Sequence, residues 1–78
     1  MTIAVDQLKE IAAAVAMELR AAAGNVPPEL RVRFINVRAE LFQRGIFDPV
    51  LVRFDTATVP RASVEDIADQ LARVAESL

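Results

Sequence analysis

Pro28-Glu29-Leu30-Arg31-Val32-Arg33-Phe34-Ile35-Asn36-Val37-Arg38-Ala39-Glu40-Leu41-Phe42-Gln43-Arg44 decides between an all-helical chain and a mixed one. Its first half alternates, with Leu30, Val32 and Phe34 separated by Arg31 and Arg33. That is the period-two pattern of a half-buried strand. The alternation breaks at Ile35, whereas Leu30, Phe34, Val37 and Leu41 recur at helical spacing over three turns. A helix over 28–44 is therefore expected. Pro28 suits its first turn, where an N–H would have no partner within the helix. Gly45 supplies the stop, and Ile46 supplies the apolar residue that usually contacts a helix end.

Working outward, Asp48-Pro49 reads as an N-cap oxygen followed by proline at the first helical position. A short helix over 49–55 follows, with Val50, Leu51 and Phe54 turned to the core. A strand competes here, because Val50-Leu51-Val52-Arg53-Phe54 is rich in β-formers and could pair across a dimer. Thr56 to Ala62 reads as a loop broken by Pro60. Ser63 is placed to cap a last helix over 63–77, with Glu65 and Asp66 in its first turn. Val64, Ile67, Leu71, Val74 and Leu78 form its apolar stripe, and Glu65, Asp69, Arg73 and Glu76 its polar side.

Upstream, residues 3–23 read as a helix with Val5, Leu8, Ala12, Val15, Leu19 and Ala22 on one face. Thr2 or Asp6 is expected to cap it, and Gly24-Asn25 to end it in the left-handed conformation both residues tolerate. The uninterrupted apolar run Ile11 to Met17 exceeds what a helix packed on one side requires. Ile11, Ala12, Val15 and Ala16 are assigned to the core. Ala13, Ala14, Met17 and Ala21 fall on the far side, edged by Asp6, Glu10 and Arg20.

Composition narrows the function. The chain has 78 residues, no cysteine and no histidine. One small helical domain spanning 1–78 is expected, marginal in stability by itself and without a disulfide staple. The soft metal ligands and the usual general base are missing together, so no metal or cofactor is expected. Thr56, Thr58 and Ser63 have no neighbouring base to activate them. Asp48 is explained as a cap and Asp55 as a helix-end or loop residue. The two glycines are isolated, so no phosphate-cradling loop exists. The expectation is a protein that is not an enzyme.

The net charge of −2 disfavours nucleic acid as a partner. Six of the eight arginines nevertheless fall between residues 27 and 62, and the C-terminal segment is acidic. A helix-turn-helix with 28–44 as the recognition helix is disfavoured, because that helix is too apolar to lie open in a groove. No basic leader precedes the first apolar run, and no run approaches the roughly 20 residues of a membrane span. A cytoplasmic location is the default. The arginine-to-lysine ratio and abundant alanine suit a GC-rich bacterial genome.

Two doubled faces remain. The outer face of the first helix presents Ala13, Ala14, Met17 and Ala21. The second helix carries another stripe of Val32, Ile35, Ala39 and Phe42, with Arg31 and Arg38 projecting between its two stripes. Each has an ordinary explanation: alanine is a good helix former in water, and the second stripe can pack inside the fold while the arginines pair with Asp66, Asp69 or Glu76. The functional explanation is an interface. Its candidates are Ala13, Ala14, Met17, Ala21, Val32, Ile35 and Phe42, and the partner is either another protein or a second copy. The expected class is a non-enzymatic accessory or adaptor subunit acting by helix-mediated assembly. The alternative is a small regulator that binds nucleic acid or a phosphorylated ligand through Arg31, Arg38, Arg53 and Arg61. A third possibility is an α/β variant whose Val50–Phe54 strand pairs across a dimer.

Overall fold

A computed structural model describes residues 4–52 and 61–78, with side chains in the last segment from Val64 onward. The chain is all-α: α1 spans Val5–Ala21, α2 Pro28–Gln43, α3 Pro49–Val52 and α4 Arg61–Ser77. No strand occurs among the described residues. None of the described helices is long and apolar enough to cross a membrane.

The stripe that decided the fold is the buried face of α2. Leu30, Phe34, Val37 and Leu41 are all buried, and Pro28 occupies the first helical position. The end of α2 follows from Gly45. Its φ of +80° lets the chain reverse, so the Gly45 amide donates to the Phe42 carbonyl (3.0 Å) and the Ile46 amide to the Leu41 carbonyl (2.9 Å). This paired closure satisfies two carbonyls that the helix leaves open, and Ile46 packs against the core beside them. Arg44 is the C-cap, one residue short of being helical as expected.

Asp48 caps α3 as its sequence predicts. Its Oδ1 accepts the Val50 amide at 2.9 Å, and its Oδ2 accepts the Gln70 side-chain amide at 2.5 Å. One carboxylate thus starts α3 and ties it to α4. Leu51 is buried and Val50 partly so. The strand alternative fails at Val50–Val52, which form a helical turn: a proline at the first position and a cap in front override the β-preference of three side chains. The expected extension to residue 55, and the core role of Phe54, lie outside the described residues.

The other ends correct the sequence expectations. Helix α4 already runs from Arg61, so Ser63 is its third residue and not its N-cap. Arg61 and Ala62 are strong helix formers, and they carry the helix past the serine. Helix α1 begins at Val5 behind Ala4, without a side-chain cap, and Asp6 sits in its first turn, where the macrodipole favours an acid; Thr2 lies outside the described residues. It ends without a left-handed residue. Ala22 donates to the Glu18 carbonyl and accepts the Asn25 amide at 2.8 Å, a tight turn that needs no positive φ at Gly24 or Asn25.

All four helices contribute to one contiguous core, from Leu8, Val15 and Leu19 through Phe34 and Leu41 to Leu51, Ile67 and Leu71. Helix α1 packs chiefly on α4, less extensively on α2, and α3 rests on α4. The α1–α4 contact uses small residues: Ala12 and Ala16 on one helix, Ala68 and Ala75 on the other, all buried. Val5 and Ile11, expected inside, are 44% and 39% exposed. Val5 lies in the first turn. Ile11 faces α2, where Asn36 and Ala39 are too polar and too small to cover it, and it lines a shallow groove of about 330 Å³ with them and Arg33.

Candidate functional site

Along α1 the side chains turn by about 100° per residue. With Ala12, Val15, Ala16 and Leu19 directed inward, Lys9, Ala13, Met17 and Ala21 emerge on the flank toward α4 and beyond it. The facing flank of α4 presents Ala68, Ala72, Ala75 and Glu76. Between the two flanks lies an open groove of about 530 Å³. Its floor is formed by Ala13, Ala16, Ala21, Ala68, Ala72 and Ala75. Small residues bring the helix axes close and leave no long side chain to fill the cleft between their outer edges. Met17, 75% exposed, is the one large apolar group on its wall.

Charge frames the groove. Lys9 and Arg20 stand on the α1 side and Glu76 on the α4 side. Arg20 forms an ion pair with Asp69 of α4, linking the two helices at the surface. That pairing replaces the expected union of Asp69 with Arg31 or Arg38, and its cause is the packing order: α4 lies against α1, so the acids of α4 meet the base of α1. Both partners are exposed, so the pair contributes little to stability, about 0–1 kcal/mol.

A second surface pair joins α1 to α2. The guanidinium of Arg33 grips the Glu18 carboxylate with both terminal nitrogens, Nη1 at 2.9 Å and Nη2 at 2.7 Å. The hydrogen bond from Arg33 holds the Glu18 carboxyl below its ordinary pKa and raises that of Arg33.

Of the residues singled out in the sequence, Ala13, Met17 and Ala21 are brought together in this groove. Ala14 is exposed on α1 but is not among the groove's lining residues. The candidates on α2 are elsewhere. Val32 is exposed, Ile35 and Phe42 are half-buried, and the Phe42 ring lies 5.2 Å from that of Phe47, itself 72% exposed. The two sets therefore do not line one groove.

Arg38 donates to the Leu51 carbonyl at 3.3 Å, and its guanidinium lies about 6 Å from the Phe34 and Phe42 rings. It joins α2 to α3 and completes a stack. Arg31 is half-buried on the same strip of α2. Arg53 and the side chain of Arg61 lie outside the described residues. Among the described residues no group of acids is placed to hold a metal ion.

Sequence reasoning missed Lys9, Ala72 and Glu76 as groove residues. Lys9 and Glu76 read as ordinary polar positions, and Ala72 falls between the apolar stripe and the charged face. Only knowing that α4 is the neighbour of α1 assembles them.

Comparison of the chain with protein-family models, with curated proteins and with solved structures gives no match.

Proposed function

We propose that this protein is a non-enzymatic assembly module whose α1–α4 groove receives an apolar helix face from a protein partner. The observation that carries the proposal is Met17. A large apolar side chain, three-quarters exposed, stands on the wall of an alanine-floored cleft. Exposed alanine alone is ordinary, but a contiguous apolar concavity rimmed by charge is the form of a helix-in-groove site. Methionine adapts to the surface laid against it, and alanines let a second backbone come close. The reading through Arg31, Arg38, Arg53 and Arg61 has less to support it, because Arg38 already serves the α2–α3 junction.

The test is a photo-crosslinking amino acid at position 17, activated in cells that express the protein. A discrete adduct is expected, and it should disappear when Ala13→Glu is introduced beside it. Absence of any adduct, with the protein folded and abundant, would refute the module.

A further inference from the structure

We infer that the occupant of the α1 face is a second copy of this chain, laid antiparallel along α1 about a two-fold axis at the level of Val15. This inference rests on the proposed docking role of that face. It starts from a spacing. Glu10, Ala13, Met17 and Arg20 follow one another at three, four and three residues, the interval of a coiled-coil seam, and all four are exposed. Glu10 and Arg20 are equidistant from Val15, as are Ala13 and Met17. A two-fold axis at Val15 therefore sets Glu10 opposite Arg20 of the second copy and Ala13 opposite its Met17, then repeats both pairs in reverse.

Each layer of that arrangement is complementary. The two inner layers place a long flexible side chain over a methyl group. The two outer layers place an acid against a base. A parallel pair in register would set Glu10 on Glu10, Met17 on Met17 and Arg20 on Arg20, so like charges would meet at both ends. The pairing is isologous, so it closes at two copies and does not polymerise. Arg20 keeps Asp69 while reaching Glu10 of the second copy, because a guanidinium has five donors and this side chain remains 61% exposed beside Asp69. Helix α1 is about 25 Å long at 1.5 Å per residue, so the contact is at the small end of stable interfaces and association depends on concentration.

Sedimentation of four proteins tests the geometry: the native chain, Glu10→Arg, Arg20→Glu and the double exchange. The native chain is expected to approach twice its own mass as concentration rises. Each single reversal creates two repulsive layers and is expected to weaken association about tenfold or more at low salt. The double exchange restores opposite charges in both outer layers and should recover the native behaviour. Circular dichroism on each variant checks the helices, since Arg20→Glu also removes the bond to Asp69. An independent measurement leaves the charges intact: an oxidised mixture of Ala13→Cys and Met17→Cys should cross-link across the two variants faster than either alone. The chain has no other cysteine to interfere.

A native chain that stays monomeric at every concentration overturns the inference. So does a dimer in which the double exchange is no better than the single reversals and the mixed cross-link is not favoured. In those cases a position-17 adduct to a different protein would preserve the docking role, whereas no adduct would remove both.

Discussion

Met17→Ala separates the stability of the domain from the strength of its association. In the isolated domain the side chain is 75% exposed, so truncation removes little buried surface. Alanine is also a slightly better helix former. The change in folding free energy should stay within about 0.5 kcal/mol, the range of surface substitutions. Across the proposed contact the sum differs. Full burial of a methionine side chain stabilises by about 1.5–3 kcal/mol, and the still-exposed three-quarters gives about 1–2 kcal/mol. The two-fold axis counts it twice, for about 2–4 kcal/mol in the dimer. Each 1.4 kcal/mol is a factor of ten, so the dissociation constant should rise by roughly 30- to 1000-fold, toward the lower figure because the alanine methyl still makes contact. Sedimentation equilibrium over a wide concentration range measures the second quantity, and urea unfolding below the dissociation constant measures the first. A variant that unfolds at much lower urea would mean that Met17 belongs to the core. One that folds and associates like the native chain would mean that the α1 face is not the contact.

Three further outcomes test the fold. Asp48→Ala should destabilise the domain by about 2 kcal/mol in urea unfolding, since it removes both the α3 cap and the bond from Gln70; Asp48→Asn, which keeps an acceptor for the Val50 amide, should cost less. Gly45→Ala should cost about 1–2 kcal/mol because φ is +80° there, whereas Gly24→Ala, with no positive φ and open space around the new methyl, should be neutral or slightly stabilising in the same melts. Glu18 has its pKa lowered in the folded state by the hydrogen bond from Arg33, so its small contribution is complete above the unfolded glutamate value and lost as pH falls through the folded one; acid titration of Glu18→Gln should lack that loss, and equal acid sensitivity in both proteins would contradict it.

Much of this fold is legible because side-chain spacing and helix punctuation are local. The stripe Leu30, Phe34, Val37 and Leu41 names its own buried face, and Gly45-Ile46 and Asp48-Pro49 name the junction that follows. The ends of α1 and α4 were less legible. Ser63 and Gly24 have the right chemistry for caps, yet a helix can extend past a serine or close through a tight turn without using a glycine's freedom. The groove was half legible. Periodicity places Ala13, Met17 and Ala21 together on one side of α1, but it carries no information about which helix lies alongside. That choice rests on Ala12, Ala16, Ala68 and Ala75, whose small size matters only once two helices touch.

The alanine floor has a consequence for the entropy of any contact made on it. Alanine has no side-chain rotamers, so the floor of the cleft loses no rotamer entropy when it is covered, and the shape of that floor is set by the backbone. A floor of that kind is preorganised: its shape does not have to change when another surface is laid on it. Met17 is the adjustable element beside it. In any contact made there, the ordering cost would fall on the rim, where Lys9, Met17, Arg20 and Glu76 have rotamers to lose, and not on the floor.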